Sequence, residues 1–288
     1  MADGPEGELS AGDPGAPGGP TVDGRAGPRT ADEIDRPDIS LIVAVLNEVD
    51  NIEPFVDRAR RALDRERWEI VFIDDGSTDG TRARIEEAER VEARVRHLYR
   101  NAPTGTASAQ YDGLARARGR FAVVMDGDLQ HRPEELPRLL APLQSGEADL
   151  VIGSRYVPGG RFVERPPLRG AISRAGDLLV RLLLPESWSL SDPMSGYFAF
   201  RRDLFRDRSL APVGMKFLFY ALVRVPVDRR REVPVEFAPR RRGSSKLLGL
   251  RSGIVRALVA SARDAARSRP SHRISSPDSR ASTGGDER

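Results

Sequence analysis

The chain has 288 residues, 46 Lys and Arg against 43 Asp and Glu, a formal charge of +3, and no cysteine. The absence of thiols excludes disulfides and thiolate-metal sites, and the length suits one large α/β domain or two small ones. No stretch reads as a signal peptide or as the run of about 20 apolar residues that spans a bilayer, so any membrane role is expected to be peripheral.

Residues 1–38 are rich in Gly, Pro, Asp, Glu, Ala and Arg, without the apolar periodicity needed to offset the entropy of ordering them. They read as a disordered acidic tail. Nine acidic and three basic side chains there give −6 and leave +9 downstream, a field that favours phosphates, nucleic acid or an anionic lipid surface.

Ser40–Leu46 (SLIVAVL) reads as a buried strand, followed by Asn47-Glu48 and a helix through Leu63. Glu69–Ile73 repeats the pattern, ends in Asp74-Asp75-Gly76-Ser77, and leads to a helix capped by Thr78-Asp79 that runs to about Glu92. Val95–Tyr99 is a third strand with a helix over Ser108–Arg118, and Phe121–Met125 a fourth, ending in Asp126-Gly127-Asp128. A helix over Pro133–Leu143 and a strand over Asp149–Ile152 complete a βα succession, which predicts a largely parallel sheet covered on both faces. Beyond it come a loop at Gly159-Gly160, a helix over Leu168–Leu184, a turn over Ser191–Gly196 and an apolar segment Tyr197–Phe200. A helix over Met215–Val225, an edge strand over Arg231–Phe237 carrying Pro234, and a basic amphipathic helix over 248–267 follow. Residues 268–288 read as a second disordered tail.

Ligands of such sheets bind beyond the carboxyl ends of the strands, and the polar clusters fall there: Asn47-Glu48, Asp74-Asp75, Asp126-Gly127-Asp128 and Ser154-Arg155. The glycine between Asp126 and Asp128 lets both carboxylates approach one hard cation, Mg²⁺ or Mn²⁺, with Gln130 supplying or orienting a further oxygen. Asp75 is a candidate reader of base or ribose. Neither a Gly-x-Gly-x-x-Gly turn nor a Gly-x-x-x-x-Gly-Lys-Ser/Thr loop occurs, which argues against an NAD site or an ATP-type phosphate loop. Arg155, Arg165, Arg169, Arg174, Arg240, Arg241, Arg242 and Lys246 supply positive charge in the second half, and Arg155, directly beyond a buried strand, is the strongest phosphate candidate. His97, His131 and His272 are too dispersed for a zinc site, and His131 reads as a helix-entry residue near the metal.

The succession VLNE (45–48), DDGSTDGT (74–81), MDGDLQH (125–131), GSRY (153–156), SDPMSGYF (191–198) and GSSKL (243–247) resembles the family-2 glycosyltransferases, within them the dolichol- or polyprenol-phosphate mannose synthase group, over roughly residues 39–248. The resemblance implies a GT-A fold with a mixed sheet over 39–247. It also implies a GDP-mannose or UDP-glucose donor, Mg²⁺ or Mn²⁺, and inverting transfer to a polyprenyl or dolichyl phosphate on the cytoplasmic side of the membrane. Carried over by motif, Ala44, Leu46, Glu48, Asp75, Asp126, Gly127 and Asp128 would hold the nucleotide-sugar, and Asp126, Asp128 and Gln130 the metal. Asp128 and Arg155 would serve catalysis, and Arg155, Arg169, Arg240 and Lys246 the donor and acceptor phosphates. Ala44 departs from the proline usual ahead of the first turn, as does the segment Asn101–Thr106 from its usual glycine-rich form.

A hydroxyl acceptor is the second transferase reading, and it requires an Asp or Glu as base. From another class, a basic RNA-binding protein would show aromatic residues interleaved with the bases, and the sequence lacks that pattern, so no nucleic-acid partner is expected. Leu247, Leu250, Ile254, Leu258 and Ala262 form one apolar side of the last helix, bordered by Arg251, Arg256, Arg263 and Arg267, and the helix is expected to lie on the membrane, packing on the catalytic domain being the alternative.

Overall fold

The structure, a computed structural model, describes residues 36–101, 105–163, 176–206, 210–239 and 253–270. The expected tails therefore lie outside it, apart from residues 36–38 and 268–270.

Seven strands form one sheet in the order β3-β2-β1-β4-β7-β5-β8. They are β1 (Ile39–Val45), β2 (Trp68–Asp74), β3 (Val95–Tyr99), β4 (Phe121–Asp126), β5 (Leu150–Ser154), β7 (Phe198–Arg201) and β8 (Arg230–Pro234). β1 pairs in parallel with β2 and β4, and β2 with β3. β7 enters antiparallel between β4 and β5, and β5 pairs in parallel with β8. The carboxyl ends of β1, β2, β4 and β5 thus share one sheet edge.

Apolar runs form these strands because both faces are covered. Leu41, Val43, Ile70, Phe72, Val123 and Met125 join a core on one face, with Ile52, Phe55 and Ala59 of α1 (Ile52–Ala62) and Leu136, Leu139, Leu140 and Leu143 of α4 (Leu136–Gln144). Ile42, Val71, Ile73, Ala122 and Val124 face the other core, shared with α3 (Thr106–Arg116), α5 (176–183), α6 (Leu218–Leu222) and α7 (Gly253–Arg267). The two-residue alternation of the strands meets helices whose apolar residues recur at three and four. α2 (Thr81–Val91) crosses between β2 and β3.

At the amino ends of the strands, away from the shared edge, Glu69 is buried. Ser40 Oγ donates to it at 2.7 Å, the Arg118 N–H at 2.6 Å and Arg96 Nη1 at 3.0 Å. Burial alone would raise this carboxyl, but Ser40, Arg118 and Arg96 hold it below the usual glutamate range.

Three differences from the sequence reading have local causes. The strand expected over Arg231–Phe237 divides at Val235 into β8 and β9 (Glu236–Phe237), and β9 pairs with β6 (Arg161–Phe162) in a separate two-stranded sheet. The helix expected over Met215–Val225 is confined to Leu218–Leu222; ahead of it Gly214 takes φ +81°, and the N–H groups of Met215 and Lys216 donate to Ser261 Oγ of the last helix. The last helix packs on the domain: Leu258, Ser261, Ala262 and Ala265 are buried and Asp264 accepts from the Tyr220 hydroxyl at 2.5 Å. Leu247 and Leu250 lie outside the described residues.

Candidate active site

The loop after β1 is built by side chains acting as turn formers. Asn47 takes φ 52°, its N–H donating to Ser77 Oγ at 2.8 Å and its side-chain oxygen accepting from Thr78 N–H at 2.8 Å. Glu48 N–H donates to Thr81 Oγ1 at 2.8 Å, and Glu48 Oε2 accepts from Asn51 Nδ2 at 2.7 Å. The VLNE and DDGST segments therefore lock together at one strand edge. Ala44 lies in register with Ile73 and Asp126, between the two acidic clusters, and Leu46 follows it, partly buried.

Asp74 accepts the Ser77 N–H at 2.9 Å and closes its turn, while Asp75 Oδ1 stands 3.1 Å from Arg100 Nη1. Burial raises the Asp75 carboxyl, Arg100 opposing and Asp74 and Asp112 adding to the shift. Arg100 also approaches Asp112 at 3.4 Å and donates to Ser108 at 3.0 Å. These partners of Asp75 carried no motif of their own.

At the end of β4 a Cβ on Gly127 would lie 2.5 Å from Val45 Cγ1, so only glycine lets the turn pass against β1. Asp128 is buried, its Oδ1 accepting from Gln130 N–H at 3.1 Å, whereas the Asp126 side chain is 43% exposed. Gln130 Nε2 donates to the Ala238 carbonyl at 3.2 Å, which leaves its amide oxygen as the acceptor facing elsewhere. Asp126 N–H donates to His131 Nδ1 at 3.0 Å, so that nitrogen is an acceptor; burial brings the imidazole down to about 4, Asp128 opposing. His131, stacked on Tyr197 at 5.1 Å, supports the loop as a neutral ring.

This donor set fits a hard divalent cation, since it offers carboxylate and amide oxygens and no sulfur. Among the described residues no group of three His, Cys, Asp or Glu is placed to hold a metal.

Arg155 differs from the sequence expectation. Its Nε and Nη2 each donate to a carboxylate oxygen of the fully buried Asp192 at 2.7 Å, and its N–H donates to Asp192 Oδ2 at 3.1 Å. Phe162 and Phe237 lie 4.9 and 5.3 Å from the guanidinium. Burial opposes the charge, but Asp192 keeps Arg155 above the usual arginine range. The Nε–Nη2 edge of its fork is thus committed inside the protein. Asp192 was legible only as part of the SDPMSGYF turn, and Lys216, which donates to the Met194 carbonyl at 2.7 Å, carried no signal. Arg165, Arg169, Arg174, Arg240, Arg241, Arg242 and Lys246 lie outside the described residues.

A mixed sheet with carboxylates at the ends of β2 and β4 defines a GT-A-type sugar-transferase fold. Residues 40–209 match the family described as Glycosyl transferase family 2, and the chain belongs to it. It is 38% identical over 213 residues to the dolichol-phosphate mannosyltransferase of Pyrococcus furiosus, covering 73% of this chain and 59% of that protein's length. To the undecaprenyl-phosphate mannosyltransferase of Micrococcus luteus it is 35% identical over 219 residues, covering 73% of this chain and 88% of that one. Among solved structures, the glucosyl-3-phosphoglycerate synthase of Mycobacterium tuberculosis in complex with Mn²⁺ and UDP-glucose matches with a TM-score of 0.59 at 25% identity, covering 78% of this chain and 79% of that one.

Proposed function

We propose that the protein is an inverting transferase that moves a hexose, mannose from GDP-mannose, to a polyprenyl phosphate at the cytoplasmic face of a membrane. The observation that carries this reading is that the loop of Asp192, clamped by Arg155 and reached by Lys216 at the Met194 carbonyl, borders the Asp126-Gly127-Asp128 carboxylates, a Cβ on Gly196 falling 3.5 Å from Asp126 Oδ2. A carboxylate held in a bidentate ion pair is a poor base, whereas a phosphate monoester arrives as an anion, its second pKa being about 6. The names of the Pyrococcus and Micrococcus relatives support the same acceptor class.

Asp126, Asp128 and Gln130 would hold Mg²⁺ or Mn²⁺, which when bound neutralises charge on the departing nucleoside diphosphate. Glu48 and Asp75 serve the nucleoside end. An acceptor phosphate oxygen attacks the anomeric carbon from the face opposite the diphosphate, and the electron pair of the breaking C–O bond leaves with that diphosphate. The Arg155–Asp192 pair keeps the acceptor wall rigid.

A UDP-glucose donor is the second reading, favoured by the fold likeness to a UDP-glucose-bound transferase. Incubation with Mn²⁺, polyprenyl phosphate and labelled GDP- or UDP-sugars decides between them by which label enters the lipid phase. Asp128→Asn should lower that transfer at least about tenfold at limiting metal while leaving the melting temperature near the parent's. Transfer to no lipid phosphate from any donor would reject the reading.

For the membrane side, no helix among the described residues is long and apolar enough to cross. Leu178 and Leu182, one turn apart on α5, are 57% and 68% exposed, and Trp188, 61% exposed, donates its Nε1–H to the Arg181 carbonyl at 2.8 Å beside them. An aromatic ring with apolar neighbours and nearby arginine suits a headgroup boundary, so this face, rather than α7, is the surface that meets lipid.

A further inference from the structure

Lys216 is placed by a three-way seam. Gly214 takes φ +81°, and a Cβ there would overlap Ser261 Oγ and the Ala257 carbonyl of α7. The Gly214 carbonyl accepts from Ala107 N–H, in the first turn of α3, at 3.3 Å. Ser261 Oγ accepts from Met215 N–H at 2.9 Å and Lys216 N–H at 3.4 Å. The segment 214–216 is therefore wedged between two helices, ahead of α6, which starts at Leu218.

From that seam the side chain reaches the loop that follows Asp192. Nζ donates to the Met194 carbonyl at 2.7 Å, its one hydrogen bond among the described residues. Two residues on, a Cβ on Gly196 would stand 3.5 Å from Asp126 Oδ2, so this loop borders the metal-side carboxylates. Burial lowers the Lys216 ammonium below the usual lysine range, Asp126 opposing, Arg155 adding to it, and Asp192 and Asp177 opposing. Met194, midway between Asp192, the partner of Arg155, and Gly196, beside Asp126, thus brings the ammonium between the two sides of the site.

The other described cations of this edge are committed to carboxylates: Arg155 to Asp192, Arg132 to Glu236, and Arg100 to Asp75 and Asp112. An ammonium has three donors, and Lys216 spends one on a neutral carbonyl. Resting on the lipid-phosphate reading above, we infer that Lys216 is a further binding residue of the site, donating to an anionic oxygen of the acceptor phosphate as it meets the sugar. The Met194 bond aims the ammonium, and Ser261 and Gly214 hold its backbone so that little freedom is lost on binding.

The test uses the full chain and two titrations, a short-chain prenyl monophosphate and GDP with Mn²⁺, on the parent, Lys216→Gln, Lys216→Met and Lys216→Arg. Gln removes the charge while keeping a polar donor on a side chain one atom shorter, so it carries the comparison if Met lowers the melting temperature. Expected are at least about tenfold weaker prenyl phosphate binding for Gln, GDP–Mn²⁺ binding within about twofold of the parent, a higher KM for the lipid with kcat less affected, and recovery in Arg. Unchanged prenyl phosphate binding in Gln, or equal losses for both ligands, overturns the assignment of Lys216 alone. A parent that binds GDP–Mn²⁺ but no prenyl phosphate overturns the lipid-phosphate reading beneath it.

Discussion

At Arg155 the residue type and its position beyond a buried strand point to a phosphate ligand, and the partner changes what its loss would cost. Replacing it with Ala leaves Asp192, fully buried, without its counter-charge. Breaking such a pair costs about 3–5 kcal/mol, so Arg155→Ala should lose that much in denaturant unfolding and melt well below the parent. A variant with parental stability and impaired transfer would return Arg155 to the role of a direct phosphate ligand. Asp126, Gly127 and Asp128 were legible because their geometry is local, two carboxylates flanking one glycine at a strand end. Lys216 was not, since its nearest partner is 22 residues away and reaches it only through packing of α3 and α7.

Among the elements, β1, β2, β4 and β5 and their crossover helices could be taken from periodicity, because each is set by its own apolar pattern. The place of β7 could not: Phe198–Arg201 pairs with Phe121–Val124 on one side and Leu150–Ile152 on the other, and no local pattern encodes an insertion between them. The same holds for α7, whose stripe suited lipid or protein until Leu258, Ala262 and Ala265 were seen in the core. Ending the chain before Gly253 should therefore destabilise the domain, Leu258 alone contributing about 1.5–3 kcal/mol, and should raise binding of a hydrophobic dye. A truncated chain melting with the parent would contradict that packing. Glu69 joins elements at the opposite end of the sheet, and Glu69→Gln should cost about 2 kcal/mol at pH 7 by weakening charged hydrogen bonds. Its folded pKa is depressed, so the stability it contributes is present above the unfolded value of about 4.3 and is lost as pH falls through the lower folded value. Parent and variant should converge in denaturant midpoints across that acidic window; a gap that persists below it would assign Glu69 a packing role.

For the whole molecule, charge and exposed apolar surface act together. The net positive charge downstream of residue 38 should draw the protein to anionic vesicles, with the sedimented fraction falling toward about 0.5 M salt as screening shortens the field. Leu178→Asp with Leu182→Asp should abolish that fraction while the melting temperature stays near the parent's, because both side chains are exposed. Sedimentation equal to the parent's would move the lipid-facing surface elsewhere. The sequence by itself determined the βα succession, the carboxylate clusters at the strand ends and the class of transferase, since these follow from short-range periodicity and from residue types a few positions apart. Only the tertiary structure decided that Arg155 is clamped by Asp192, that β7 divides β4 from β5, and that α7 belongs to the core, where Ser261 accepts from the backbone of Met215 and Lys216. Each depends on partners that lie far apart along the chain and meet only when the sheet and its helices have packed, so spacing between neighbouring residues carries no trace of the pairing.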